Sequence, residues 1–367
     1  MKTLLFRGGL RLFFGFSIKG MVNLKDVGEH VGVSASTVSR VINRPEKVKK
    51  ETRWRVEEAI RTLGYNPNRV ARRLRSSEGR ARILGLIIPD IQNSFYSEVV
   101  RGVEDVAYDE DYAVILCSSD EDSEREQFYL DVLRGESADG VILAPHDGTA
   151  RLGEEVSLPV VCFDRRLPEA DVDTVVVDNR RGARALTEHL LELGHRRIGI
   201  ICSSLDLSTT TERLAGYRDA LGAAGVDVEE ALVRSGGPRR ETGYREAQHL
   251  LDMEAPPTAI FAVNNQLVLG ALEAVRQCGL QVPDDLTVAG FDDAPWSSLL
   301  AAPLTTVRQP TYEMGRRAAE LLFQRIDDPK RDEVLVTLQP SLVVRASSGA
   351  PARGESAQGE PLAAASE

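Results

Sequence analysis

Residues 23–43 read NLKDVGEHVGVSASTVSRVIN. Leu24, Val27 and Val31 recur at helical spacing. Asn23 stands before them as a capping side chain, and the charge of Asp26 suits a first helical turn. Gly32-Val33-Ser34 then turns the chain, and Ser34 caps a second helix in which Val38, Val41 and Ile42 face inward. That leaves Ala35, Ser36, Ser39 and Arg40 outward. A third helix over residues 51–63 closes the bundle with Trp54, Val56, Ala59, Ile60 and Leu63, and Gly64 supplies a left-handed stop. This is the pattern of a small helix-turn-helix whose second helix enters a DNA groove. Two choices run against local preference. Gly28 inside the first helix costs about 1 kcal/mol relative to Ala, and Lys49 and Lys50 stand where Ser or Asp caps better.

Charge divides the chain at the same place. Up to residue 82 there are 19 Lys/Arg against 7 Asp/Glu, a net of +12, and the overall −11 leaves −23 for the remainder. A basic head neutralises phosphates, and an acidic body discourages non-specific contact. From residue 82 onward, short apolar runs (ILGLIIP, AVILCSS, GVILAP, PVVCFD) alternate with amphipathic stretches, and a second series follows with IGIICSS, LVRSG, AIFAVNN and TVAGFDD. That rhythm predicts an α/β protein with two doubly wound parallel-sheet units in tandem behind the helical headpiece. Ligands of such sheets sit beyond the carboxyl ends of the strands.

These motifs, in this order, resemble the lactose/galactose repressor family of bacterial transcriptional regulators. The resemblance is carried by residues 34–43 (SASTVSRVIN), Gly64-Tyr65-Asn66-Pro67-Asn68, Ala71-Arg72-Arg73-Leu74-Arg75, Phe163-Asp164-Arg165, Leu193-Gly194-His195-Arg196-Arg197-Ile198, Arg213-Leu214-Ala215-Gly216-Tyr217, Gly290-Phe291-Asp292-Asp293 and Pro303-Leu304-Thr305-Thr306-Val307. It runs to about residue 346. It implies that Ala35, Ser36 and Arg40 read bases, since a guanidinium bonds guanine bidentately, and that Ser34, Thr37, Ser39 and Asn43 position phosphates. It also implies that residues 68–75 form a hinge helix on DNA, with Leu74 wedged into the minor groove beside Ala71 and Arg75.

For the body, the resemblance implies a two-lobed, periplasmic-binding-protein-like core that the chain crosses near Asp178, Gln309 and Gln339. In its cleft Asp164, Arg213, Asn264 and Asp292 match positions that hold small polar effectors, and carboxylates with a guanidinium suit vicinal hydroxyls. Phe95 and Tyr96 match an aromatic pair, although Ser94 replaces the usual Pro. Asn265 replaces a more usual Asp. Trp296 is either an apolar platform for a sugar ring or a packing residue. Leu207 and Pro238 stand where purine-binding members have polar or aromatic contacts, which favours a carbohydrate.

The expected organisation is a disordered extension or mis-assigned start over 1–20, with Met21 as the alternative start, then the DNA-binding domain over 21–66. A hinge and linker follow over 67–82. The effector and dimerisation domain spans 83–346, with its first lobe about 83–178 and 309–339 and its second about 179–308 and 340–346. The Ala-, Gly-, Ser- and Glu-rich stretch 347–367 is expected to be a disordered tail. Arg7 and Arg11 interrupt any signal-peptide core. The cysteines, Cys117, Cys162, Cys202 and Cys278, read as buried thiols of a cytoplasmic protein. No metal or cofactor is expected, and His195 reads as a structural cap. Without GxxxxGK[ST], GxSxG or HExxH an enzyme is not expected. The reading is a repressor of carbohydrate-utilisation genes, acting as a homodimer on a near-palindromic operator under a sugar-like effector, with no membrane partner. The alternatives are a family member controlled by a partner protein and, from another class, a sugar-binding protein for uptake or sensing, which has no use for residues 23–75.

Overall fold

In the computed structural model, which describes residues 22–43, 45–65, 80–146, 158–167 and 171–351, the chain divides into two units, residues 1–81 and 82–367. The first contains α1 (Leu24–Val31), α2 (Ala35–Asn43), a 3-10 turn (Pro45–Lys47) and α3 (Lys50–Leu63). Asn23 starts α1 with a reciprocal cap. Its Oδ1 accepts from the amides of Lys25 (2.8 Å) and Asp26 (3.3 Å), and the Asp26 carboxylate accepts from the Asn23 amide at 2.7 Å. Gly32 and Gly64 end α1 and α3 in the left-handed conformation.

Gly28 is explained by packing. A Cβ there would meet the Val33 carbonyl oxygen at 2.6 Å, so its helix-interior penalty is traded for a close approach of α1 to the turn before α2. Lys49 makes no side-chain cap, so α3 rests on its buried face instead. That face is Val56 and Ala59, which join Val27, Val38, Val41 and Tyr65 in the core. Trp54 is not part of it. At 62% exposure it lies on the outer side of α3, one turn position away from the apolar stripe.

The second unit holds two six-stranded sheets. The chain runs β1 (Ile83–Ile88), α4 (Ser94–Asp109), β2 (Ala113–Ser118), α5 (Ser123–Gly135), β3 (Gly140–Leu143), β4 (Val160–Phe163) and β5 (Asp173–Val177), then passes at Asp178 into the second lobe. There it forms α6 (Asn179–Glu192), β6 (Ile198–Cys202), α7 (Ser208–Ala223), β7 (Val233–Ser235), α8 (Arg240–Leu251), β8 (Ala259–Ala262), α9 (Asn265–Gln277), β9 (Thr287–Phe291) and β10 (Thr305–Arg308). It returns at Gln309 with α10 (Thr311–Asp327) and β11 (Leu335–Leu338), and crosses again at Gln339 to β12 (Ser341–Val343). Strand orders are β11-β5-β4-β3-β1-β2 and β12-β10-β9-β8-β6-β7. All pairings are parallel except β10 with β12.

The central strands are buried along their whole length because helices cover both faces, as the unbroken apolar runs demand. In the first lobe, α10 lies against α4 at glycine contacts. A Cβ on Gly102 would sit 2.2 Å from Tyr312 O, and one on Gly315 would sit 2.1 Å from Val99 O. The returning segment is thereby welded to the first lobe.

The second lobe does not end at residue 346. Ser347 is fully buried, donates from Oγ to Val288 O (2.6 Å) and accepts from Thr305 N (2.8 Å), joining β9 to β10. His195 Nε2 donates to Gly349 O (2.8 Å), so this imidazole is a structural tie for the segment after β12. The chain is thus packed to at least Gly349, which corrects the expected start of the tail. Three cysteines are buried, whereas Cys278 is exposed. No described helix is long and apolar enough to cross a membrane.

Candidate functional site

The headpiece presents its polar residues at the start of α2. Ser34 Oγ bonds Ser36 Oγ (2.8 Å) and Thr37 Oγ1 (2.9 Å) and accepts from the Thr37 amide (3.2 Å). This gathers hydroxyls where the helix dipole is positive, a natural seat for phosphate. Ser36 and Arg40 are exposed, Ala35, Thr37 and Ser39 half-buried. Arg40 forms no ion pair among the described residues, so its guanidinium need not abandon a carboxylate to reach a base. The side chain of Asn43, and Ala71, Leu74 and Arg75, lie outside the described residues.

In the second unit the strand ends of both lobes face one cavity. Its most telling members are two aspartates. Asp164 follows β4 at φ 64° and Asp292 follows β9 at φ 76°, each a non-glycine residue in the left-handed region. Each donates its amide to the neighbouring strand, Asp164 N to Val175 O and Asp292 N to Val307 O, both at 2.9 Å. Strain of this kind is held in place only by surrounding structure and gathers at binding sites. Both carboxylates are buried, and burial raises both pKa values above the ordinary carboxylate range.

Around them, Tyr96 Oη donates to Asp164 Oδ2 at 3.3 Å, and Phe95 meets the Tyr96 ring edge-on at 4.9 Å. Burial and the Asp164 charge hold the Tyr96 phenol neutral. Arg213, from α7, donates Nε to Asn179 Oδ1 (2.8 Å) and Nη1 to Val263 O (2.6 Å), and its guanidinium lies 3.8 Å above the Phe291 ring. Asn264 caps α9 through Leu267 N (2.8 Å). Gln309, at the return crossing, donates Nε2 to Asp292 Oδ1 at 2.6 Å.

Six of the seven residues expected in the cleft, Phe95, Tyr96, Asp164, Arg213, Asn264 and Asp292, therefore line one cavity, with Leu207 and Pro238 on its wall. Trp296 does not. It sits half-buried in a 3-10 turn (Pro295–Ser298) and packs against the core of the second lobe, because Pro295 turns the chain away from the strand end. This position matches the packing alternative.

Sequence reasoning missed a charged network. Glu121 grips Arg165 bidentately, Oε2 taking Nη1 (2.7 Å) and Oε1 taking Nη2 (2.6 Å), and His146 Nδ1 bonds the same carboxylate at 3.3 Å. Burial alone would raise the Glu121 pKa, but these bonds lower it to about 2. Arg165 was visible beside Asp164, but Glu121 sits in the acidic run SSDEDSERE, which reads as a solvated loop. The lobes also touch. Arg239 Nη2 donates to Asp120 Oδ1 (2.5 Å), Asn265 Nδ2 to Asn93 Oδ1 (2.8 Å), and Gln266 Nε2 to Gln92 O (3.3 Å). The cleft is closed. No cluster able to hold a metal occurs among the described residues.

A helix-turn-helix headpiece on a chain that continues into a two-lobed, hinged binding core defines a ligand-responsive DNA-binding regulator. The comparisons agree. Residues 23–68 match the model of bacterial regulatory proteins, lacI family, and residues 187–348 match the periplasmic binding protein-like domain. The HTH-type transcriptional regulator RegA of Clostridium saccharobutylicum is 35% identical over 330 residues, covering 89% of this chain and 99% of RegA. Among solved structures, a complex of the transcriptional regulator CelR with cellobiose is 34% identical, with TM-score 0.68 over 89% of this chain and 99% of CelR. The lac repressor dimer bound to operator and the anti-inducer ONPF is 27% identical, with TM-score 0.78 over 90% of this chain and 99% of the repressor chain. The chain belongs to the lacI family of bacterial regulatory proteins: it is a DNA-binding transcriptional regulator and not an enzyme.

Proposed function

We propose that this regulator is a cytoplasmic repressor of carbohydrate-utilisation genes, released from or held on its operator by a sugar-like molecule in the cleft between the lobes. The observation that carries the reading is the pair of buried, left-handed aspartates beside Arg213 in a closed cavity. Hydroxyl groups satisfy such carboxylates without introducing a second charge, and Phe95 and Leu207 offer the apolar contact that the C–H face of a sugar ring needs. CelR, with which the chain aligns over most of its length, was solved with cellobiose.

On DNA, two copies bind a near-palindromic operator, as the lac repressor dimer binds its own. Ala35, Ser36 and Arg40 contact bases, Ser34, Thr37, Ser39 and Asn43 contact phosphates, and Ala71, Leu74 and Arg75 enter the minor groove. Cleft occupancy acts on DNA through the crossings at Asp178, Gln309 and Gln339, since a ligand shifts the lobes only by binding one arrangement better than another.

Thermal unfolding against neutral sugars, sugar phosphates, polyols and nucleobases tests the cleft. A ligand at about a hundredfold excess over its Kd adds roughly 2.7 kcal/mol of stability. A nucleobase as the sole stabiliser contradicts the reading. For the headpiece, Arg40→Ala relaxes preference at one base pair per half-site, with a loss of about 1–3 kcal/mol of discrimination. An unchanged preference in a binding selection removes Arg40 from base reading.

A further inference from the structure

Resting on the saccharide reading above, we propose that the cleft accepts an uncharged polyhydroxyl ligand and rejects anionic ones, so that phosphorylated and carboxylated sugars are not effectors of this protein.

Three guanidinium groups line it, and each is engaged. Arg165 gives both terminal nitrogens to Glu121, and Nη1 also reaches Pro145 O at 3.3 Å. Only its Nε is left, buried without a hydrogen-bond partner and 3.7 Å from Asp164 Oδ2. Arg239, at the mouth, is held by Asp120. Arg213 is fixed by an amide and a backbone carbonyl, which leaves Nη2 alone, and its charge acts on both Asp164 and Asp292. Arginine recognises phosphate and carboxylate with a two-pronged fork, and neither buried arginine, Arg165 or Arg213, has a free one, whereas Arg239 commits only Nη2 to Asp120 and is half exposed to water, which screens its charge.

The acceptors tell the opposite story. Asp164 and Asp292 are buried with no guanidinium at hydrogen-bond distance, and Asp90 adds a third carboxylate to the wall. Gln309, 5% exposed, leaves Oε1 without a partner at the cavity wall. Ser203, 3% exposed, leaves there a hydroxyl that can donate or accept. The carboxylates and the Gln309 oxygen require donors, and ligand hydroxyls supply donors with no net charge. An anion would be desolvated beside two buried carboxylates, and like charges brought together out of water are strongly disfavoured.

The test uses the full chain. Ligand-induced thermal shifts identify a binder among ribose, glucose, galactose and cellobiose, and isothermal titration then compares each with its phosphate ester and its sugar acid. The neutral member is expected to bind and its anionic counterparts to be weaker by about a hundredfold or more. Glu121→Gln and Asp120→Asn, which release Arg165 and Arg239 respectively, narrow that gap. The second of these lies in an exposed pair, so it retains the fold if the first does not. An anionic member that binds as tightly as its neutral counterpart overturns the inference and leaves the saccharide reading standing. Silence from every member, charged and neutral, overturns the saccharide reading and the inference with it.

Discussion

At the end of β4 and again at the end of β9 the chain makes the same turn. Each places an aspartate at positive φ, donates its amide to the next strand at 2.9 Å and buries its carboxylate at the cleft. The surroundings differ. Asp164 stands over an ionic network in which Glu121 holds Arg165 and His146. Asp292 is met by neutral donors, the amide of Gln309 at 2.6 Å and the backbone of Asn265 at 3.4 Å. Both carboxylates feel the Arg213 charge, but the first lobe adds the Arg165 guanidinium and the Tyr96 hydroxyl at Asp164, whereas the second adds only dipoles at Asp292, one of them from the residue at which the chain crosses between lobes. Asp164 is thus tied within its own lobe through Tyr96, whereas Asp292 is tied to the crossing between lobes through Gln309.

The largest expected effect breaks the ionic side. Glu121→Ala strands the buried Arg165 guanidinium and lowers stability by about 3–5 kcal/mol, read by chemical denaturation. A loss under 1 kcal/mol, the size typical of an exposed pair, would show that water screens this one as well. Next come the aspartates themselves. Asp164→Asn and Asp292→Asn each weaken the ligand by about 1.5–3 kcal/mol, the value of a hydrogen bond to a charged group. Both also raise the melting temperature of the ligand-free protein, because each removes a buried charge that the fold tolerates for binding. A variant that loses stability instead contradicts the assignment of its carboxylate to the ligand.

Acid separates the two sides by sign. The Glu121 carboxyl, lowered from 4.5 to about 2, contributes roughly 3 kcal/mol above its unfolded value, and this is lost as pH falls from about 4.5 toward 2. Asp293 behaves likewise. Burial would raise it, but Arg345 and Arg308 lower it to about 2. Asp164 and Asp292, raised by burial, do the reverse, so their contribution grows as pH falls from neutral toward the ordinary aspartate value. Mild acidification therefore adds stability through the two aspartates, offset by His189 and His195, whose pKa values burial lowers, and the denaturation midpoints collapse below about pH 4. The double Asn variant lacks the first phase, and Glu121→Gln lacks part of the second. The smallest effect is at the mouth. Asp120→Asn removes an exposed interlobe pair worth about 0.2–1 kcal/mol, visible as a loss of salt dependence in the stability of the closed form.

These contrasts track what the sequence made legible. The headpiece is written locally: Asn23, Gly32, Ser34 and the valines at helical spacing each act within one or two turns. Trp54 failed because an aromatic residue near a helical stripe is not placed by spacing alone. The aspartates were legible because strand ends of a doubly wound sheet face the cleft. Glu121 was not, since its partner Arg165 is 44 residues away and the pairing depends on a left-handed turn at Asp120 and Glu121. Ser347 was hidden for a related reason. In a run rich in Ser, Gly and Ala, nothing local reveals that one hydroxyl bridges β9 and β10.

If cleft occupancy sets DNA affinity, an operator taken from a random-sequence selection and titrated by fluorescence anisotropy with and without the stabilising neutral saccharide will show it. A shift of about 5- to 150-fold in the DNA dissociation constant is predicted for the wild-type chain. Asp292→Asn should still bind the operator but no longer respond at the same saccharide concentration. A saccharide that stabilises the protein yet leaves the DNA affinity of the wild-type chain unchanged would contradict the claim.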